Sequence, residues 1–364
     1  MENLISIAEK FRIDGVAESV MPLGDGFIND TYIVRTQGTA PDYILQRKNS
    51  DIFPDIDGMM GNIDKVTAHI RRKVEAAGGD SLREVMTVVP TADGALYHTD
   101  AEGRHWAMSV FIADTVAYSR ADSPALAFMG GMGIGKFQAQ LADFDMPLAE
   151  TIKGFHNIRH RFGQWDAALA ADRAGRVGEL AEEIEWIESR RGEMLDFWRR
   201  VENGAIPSRV THNDTKISNI LFDGDGRVLC VIDLDTVLRA PVLNDFGDAI
   251  RTYANTGAED DPQLERVGLS MPMFEAFTDG YLSQQAVMLT KTELDTLAFG
   301  ARYITYEQVL RFLMDYIDGD RYYKIKYPEH NLVRTRAQYR LLQSMEAHYA
   351  AMKRTVEEIA KKYI

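Results

Sequence analysis

Arg209-Val-Thr-His-Asn-Asp-Thr-Lys-Ile-Ser-Asn-Ile-Leu221, and the Val231-Ile-Asp-Leu-Asp-Thr236 that follows it, carry more information than any other part of this chain. Reduced to spacing, the segment is His212-x-Asp214-x-Lys216-x-x-Asn219, then Asp233 at the end of an apolar strand. Taken singly, each of these polar residues is more often a turn cap than a functional group. Capping alone is a poor account of the full set, which has β-type residues on both sides.

This spacing resembles the catalytic loop and metal-binding aspartate of the protein-kinase-like superfamily. The chemistry agrees. Phosphoryl transfer asks a protein for an aligned acceptor oxygen and for counter-charge on the phosphates. A carboxylate within hydrogen-bond reach orients the hydroxyl and takes its proton, which suits Asp214 as the catalytic base. Lys216 can reach a transferring phosphoryl group as a point charge. Mg²⁺ takes a few hard oxygen ligands, which Asn219 and Asp233 offer, and Asp235 is a further candidate. His212 reads as a packing and hydrogen-bonding residue. Asp245-Phe246-Gly247-Asp248 looks like the metal-binding triplet of protein kinases. Asp233 already holds that place, however, and in the aminoglycoside phosphotransferase branch a later aspartate braces the catalytic loop. Asp245 fits that structural role.

Outward from this core, the first 112 residues read as β-rich. Strands are expected over 18–23, 31–35, 43–46, 85–89, 95–98 and 106–112, with a helix over 61–77 marked by Ile63, Val66, Ile70 and Val74. Beyond residue 113 the periodicity is helical over 122–142, 164–173, 177–202, 262–289, 291–318 and 334–364, with a β interlude over 209–232. The expected fold class is α+β, a two-lobe protein-kinase-like fold. A small antiparallel β-sheet lobe (1–112) would bind nucleotide, and a larger, mainly helical lobe (113–364) would carry the catalytic loop and acceptor site.

The turn Gly24-Asp25-Gly26, with Asn29 and Thr31 after it, lies between two expected strands, where backbone amides can cradle phosphates. By itself this is a weak signal, and no Walker lysine follows. The third strand should present a lysine to the α- and β-phosphates, but the residue there is Gln46. Three readings stay open: Gln46 as a neutral donor, Lys48 reaching in, or Lys216 carrying more of the load. Arg47 should point to the opposite face. Asp64, on the next helix, is the candidate orienting carboxylate. Phe111 and Ile112, at the link between lobes, are expected to meet the purine through their backbone.

The resemblance extends to the N-acetylhexosamine 1-kinase subfamily. It rests on Gly24-Asp-Gly-Phe-Ile-Asn-Asp-Thr-Tyr32, Tyr43-Ile-Leu-Gln46, Ile52-Phe-Pro-Asp55, the 209–216 and 232–236 segments, Asp245-Phe-Gly-Asp248, and Lys326-Tyr-Pro-Glu-His-Asn-Leu-Val-Arg-Thr-Arg336. It implies ATP and Mg²⁺ as co-substrate and cofactor. The acceptor would be the anomeric hydroxyl of N-acetylglucosamine or N-acetylgalactosamine, with Arg311 and Tyr322 touching the sugar and Arg251 a weaker candidate. Phe27 stands where that subfamily suggests a histidine. Independently, Arg311 lies on an otherwise apolar helix and needs a ligand or a partner, Asp315 being the helical alternative.

The chain has 364 residues and a formal net charge of −14. That balance argues against nucleic acid as a partner. The single cysteine, Cys230, excludes an internal disulfide and a cysteine-built zinc site, and reads as a buried small hydrophobe. No run approaches the length of a membrane span, so a cytoplasmic location is expected. Two other readings remain: a kinase of the same fold acting on an aminoglycoside, choline, homoserine or another sugar, and a non-catalytic nucleotide- or sugar-binding relic.

Overall fold

The computed structural model describes residues 3–24 and 28–364. Asp25, Gly26 and Phe27 of the glycine turn lie outside the described residues. The chain divides into two compact units, Met1–Val116 with Asp143–Lys153 and Leu221–Leu238, and Ala117–Ala142 with Gly154–Ile220 and Arg239–Ile364. A single boundary at residues 112/113 is therefore too simple. Two later segments complete the first unit, and one of them carries Asp233 and Asp235.

The first unit opens with a short helix, α1 (Leu4–Ala8), then strands β1 (Ala17–Pro22), β2 (Asp30–Thr36) and β3 (Tyr43–Lys48). Helices α2 (Ile56–Ala76) and α3 (Ser81–Glu84) follow, then β4 (Val88–Val89), β5 (His98–Thr99) and β6 (His105–Val110). The strands form one antiparallel sheet in the order β1-β2-β3-β6-β4, with β5 also on β6. Alternation places Tyr43 and Leu45 of β3 in a core with Ile7, Phe11, Val34, Trp106 and Met108. The other face of β3 is left to Ile44, Gln46 and Lys48.

The expected stripe Ile63, Val66, Ile70 and Val74 is buried on α2, which starts earlier than expected because Asp55 caps the Gly58 amide. Asn62 on the same helix donates to the carbonyls of Ala149 and Val237 at 2.9 and 3.1 Å and accepts the Ala149 amide at 2.8 Å. One buried side chain thus fastens both late segments to the sheet unit.

The second unit is helical: α4 (Pro124–Gln140), α5 (Ile158–Ala171), α6 (Ala181–Glu202), α7 (Leu243–Tyr253), α8 (Met271–Gln285), α9 (Lys291–Ile317) and α10 (His330–Ala360). The helix expected over 262–289 is shorter, since Ser270 caps the Met273 amide and Pro272 suits only a first turn. The glycine-rich run of α4 stays helical because glycine lets two backbones meet. A Cβ at Gly131 would strike the Phe277 carbonyl of α8, and one at Gly280 would strike the Phe128 carbonyl of α4. A second seam has the same design, with Gly247 of α7 against the Gly300 carbonyl of α9. Helix α9 begins in a capping box between Thr290 and Glu293, and most of it is buried. Among the described residues no helix is long and apolar enough to cross a membrane.

Candidate active site

In the second unit, a short strand, Arg209–Thr211, leads into the polar loop, which ends in a single tight turn at Ile217–Asn219. Asn213 takes a left-handed conformation, φ 64°. Local sequence alone would not hold this shape, so buried acceptors on α7 hold it. Asp245 accepts the amides of His212 at 2.9 Å and Asn213 at 2.7 Å, and Gln138 donates to it at 2.6 Å. Burial pushes the Asp245 carboxyl above its usual range, and these donors and nearby His212 oppose that. Asp248 accepts the Thr215 amide at 2.8 Å. Burial alone would raise the Asp248 carboxyl, but the adjoining Arg251 guanidinium holds it below its usual range.

With its backbone clamped, the loop arranges three of the expected residues. Lys216 Nζ lies 2.9 Å from Asp214 Oδ2, and Asn219 Nδ2 donates to the same oxygen at 3.0 Å and to the Asp214 carbonyl at 2.9 Å. Both side-chain donors land on Oδ2, and neither reaches Oδ1. The Asp214 side chain is 30% exposed. His212 Nδ1 accepts the Asp214 amide at 3.2 Å, and its ring packs edge-on against Phe137. With its Nδ2 spent on Asp214, Asn219 has its carbonyl oxygen to offer an ion. An amide oxygen beside carboxylates is the hard donor set that Mg²⁺ takes. Among the described residues no group of three or more His, Cys, Asp or Glu forms a metal cage.

In the first unit, Asp233 lies two residues beyond the strand Val228–Val231 and takes a left-handed conformation, φ 61°. Asp235, expected as a further metal ligand, has both oxygens engaged instead. Lys48 Nζ lies 2.7 and 2.9 Å from them, and Asn29 Nδ2 donates to Oδ2 at 2.7 Å. Gln46 reaches Thr31 Oγ1 at 3.3 Å and accepts from Lys48 at 2.8 Å. Arg47 pairs with Asp30, as a side chain on the other strand face should. Asp64 is exposed, so α2 supplies no carboxylate to this cluster. Gly24 is left-handed at φ 68°. The Phe111 amide donates to the Asp42 carbonyl at 2.9 Å, and the Ile112 carbonyl accepts the Thr115 hydroxyl at 3.0 Å.

A cavity of about 360 Å³ opens in the second unit, lined by Arg161, Arg173, Arg311 and Arg321, by Asp315 and Asp318, and by Tyr322. The alternative pairing of Arg311 with Asp315 does not form. Asp315 spends its oxygens on the amides of Arg321, Tyr322 and Tyr323 and on Asn331 Nδ2, at 2.8 to 3.0 Å. Arg311 makes long contacts, 3.4 Å each, to Gln308 Oε1 and the Tyr322 hydroxyl, and its guanidinium lies over the Phe155, Tyr322 and Tyr323 rings. The Lys326–Arg336 segment explains itself here. His330 holds Asp260 at 2.9 Å and Asn331 holds Asp315, so the first turn of α10 fixes the loop bearing Tyr322. Arg251 is no open guanidinium, because Asp248 and Glu259 bind it at 3.0 and 2.5 Å. Sequence reasoning missed Glu307, which accepts His156 Nδ1 at 2.7 Å and Arg161 Nε at 3.1 Å. Burial alone would raise the Glu307 carboxyl, but the adjoining His156 and Arg161 side chains keep it well below its usual range. Its one sequence signal was a charge on the buried stripe of α9.

Solved structures resemble the whole chain in fold. A microcompartment-associated aminopropanol kinase matches with a TM-score of 0.65 at 18% identity, over 96% of this chain and 98% of its own. An aminoglycoside phosphotransferase from Alicyclobacillus acidocaldarius matches with a TM-score of 0.60 at 13% identity, over 98% and 97%. An ADP-bound aminoglycoside phosphotransferase, APH(2'')-Ib, matches with a TM-score of 0.51 at 14% identity, over 94% and 100%. These likenesses carry the kinase-like α+β fold. The family model described as the phosphotransferase enzyme family matches residues 19–276, well over half of the sequence and all of the catalytic-loop segment. The chain belongs to the phosphotransferase enzyme family.

Proposed function

We propose that this protein is an ATP-dependent kinase that phosphorylates the anomeric hydroxyl of N-acetylglucosamine or N-acetylgalactosamine. The observation that carries the phosphoryl-transfer reading is the Asp214 carboxylate, with Oδ2 gripped by Lys216 and Asn219 and Oδ1 left to receive a hydroxyl. In this reading Asp214 orients the acceptor oxygen and takes its proton. An anomeric hydroxyl is more acidic than an ordinary alcohol, so orientation is the larger part. Lys216 would pass from Asp214 to the transferring phosphoryl group as charge builds there. Mg²⁺ bound to Asn219 and Asp233 would supply charge neutralisation on the nucleotide phosphates. Asp245 and Asp248 act from behind by fixing the loop backbone. The nucleotide would lie on the first unit, against Gly24, Asn29, Thr31 and Gln46, with its purine along Phe111 and Ile112. The bound ADP of one structural relative supports a nucleotide as donor.

The cavity beside Arg311 supports a neutral acceptor. Its lining holds four arginines and two aspartates, and Asp315 is consumed by backbone amides. Cationic acceptors such as aminopropanol, choline or aminoglycosides would meet unfavourable charge there. The Tyr322 ring beside Arg311 suits the apolar face of a sugar, and the guanidinium suits a ring hydroxyl or an acetamido carbonyl. An ADP-coupled assay across N-acetylhexosamines, free hexosamines, choline, ethanolamine and homoserine tests the assignment. Turnover is expected with an N-acetylhexosamine well above all others. Activity confined to amines would overturn the acceptor. Mg-ATP binding without ADP release on any acceptor would favour the non-catalytic alternative.

A further inference from the structure

The cavity of the second unit gathers four arginines in a chain whose formal net charge is −14. None of its lining residues belongs to the catalytic loop. Arg161 is the most buried of the four, with a side chain 9% exposed. Its Nε donates to Glu307 at 3.1 Å and its Nη1 to Gln164 at 3.0 Å, and neither acceptor engages Nη2. Arg311 lies over aromatic rings with only its two long neutral contacts. At the rim, Arg173 has Asp318 at 3.5 Å, its own side chain being 52% exposed. Arg321 is exposed, and among the described residues its guanidinium forms no ion pair.

Counted with Glu307, four guanidiniums meet three carboxylates here, and two of those carboxylates are already spent. Asp315 serves three backbone amides and Asn331, and Glu307 serves His156 and Arg161. Asp318 remains, in a long and exposed ion pair worth little. A sugar hydroxyl or an acetamido carbonyl answers one guanidinium and leaves the others uncompensated. Positive charge in a concave site focuses the field on an anion. Guanidiniums are matched best by oxyanions that accept two parallel N–H bonds. A carboxylate has two oxygens to share, whereas a phosphate group has at least three. That count suits arginines arriving from three places: Arg161 on α5, Arg173 in the turn after it, and Arg321 in the loop after α9.

We propose that this cavity is a phosphate site, in which Arg161, Arg173 and Arg321 hold inorganic phosphate or the phosphate group of a phosphorylated sugar, and that its occupant competes with the neutral acceptor. The binding stands on the cavity alone, and the competition rests on the kinase reading above. The test is calorimetric titration of the full chain, without nucleotide, with inorganic phosphate and with N-acetylglucosamine 6-phosphate, at ionic strength matched by potassium chloride. Saturable binding is expected. Tighter binding of the sugar phosphate identifies a phosphate monoester as the ligand, and equal binding identifies the free anion. Arg173→Gln/Arg321→Gln is expected to weaken both at least about tenfold through the lost charge-assisted bonds. Arg200→Gln/Arg266→Gln removes the same charge from exposed positions outside the cavity and should stay within about twofold of the wild type, since only bonds to the anion carry the effect. Thermal unfolding verifies that both variants are folded, and neither leaves a buried carboxylate unpaired. In the ADP-coupled assay inorganic phosphate should raise the KM of the acceptor and leave kcat unchanged. Absence of saturable binding, or equal losses in the two double variants, would overturn the site. Inhibition that raises the KM of ATP instead would overturn the competition. A wild-type chain without turnover on any acceptor would overturn the kinase reading itself, and the calorimetry would still decide the site.

Discussion

Asp214 illustrates how little would separate a turn residue from the catalytic base proposed above. Its carboxylate gains meaning from the two donors on one oxygen and from a loop held by Asp245 and Asp248. Asp214→Asn keeps the shape and removes the basicity, so turnover is expected to fall by about a thousandfold or more while ATP affinity stays within a few fold. Retained turnover, measured by ADP release, would refute the role of Asp214. The spacing of the loop was legible because chemistry confines Asp214, Lys216 and Asn219 to a few adjacent positions. The Lys48–Asp235 pair was only half legible. Lys48 was one of three candidates for the missing cation, and Asp235 was assigned to metal. Their sequence separation of 187 residues leaves no local pattern to read. Arg251 misled for a related reason, since a buried arginine looks the same in sequence whether it meets a substrate or two carboxylates.

At the scale of elements, most strands and long helices followed from periodicity, and the errors fell at the ends. Asp55 and Asn157 start α2 and α5 earlier than the apolar stripe suggests, because a cap is one polar residue outside the periodic run. Helix α7 went unread since its first turn, Leu243–Phe246, carries a motif known from loops. The glycine seams supply a paired prediction. Gly280→Ala drives a methyl into the Phe128 backbone carbonyl of α4 and is expected to cost about 2–3 kcal/mol, because backbone cannot swing aside as a side chain can. Gly163→Ala on α5 meets nothing within 4 Å and is expected to stabilise by roughly 0.5–1 kcal/mol. Urea unfolding of the two variants checks both signs, and a neutral Gly280→Ala would show that the α4–α8 spacing is slack.

For the whole molecule, the decisive fact is that the chain passes between its two units five times, after residues 116, 142, 153, 220 and 238. A β-rich first part and a helical second part were legible from hydrophobic periodicity. The return of 143–153 and 221–238 to the sheet unit was not, because it depends on the side chains of Asn62 and Lys48 finding partners far along the chain. A fragment ending at residue 116 would lack those partners. It is expected to give poorly dispersed amide proton spectra and no ADP binding, whereas a well-dispersed, ADP-binding fragment would show that the sheet stands alone. The same bond bears on synthesis. At roughly 5–20 residues per second, a ribosome needs on the order of 10–40 s after making Lys48 to deliver Asp235. Through that interval the nascent sheet carries an ammonium whose carboxylate does not yet exist. Maturation of the N-terminal third is therefore timed by translation of the sequence around position 235.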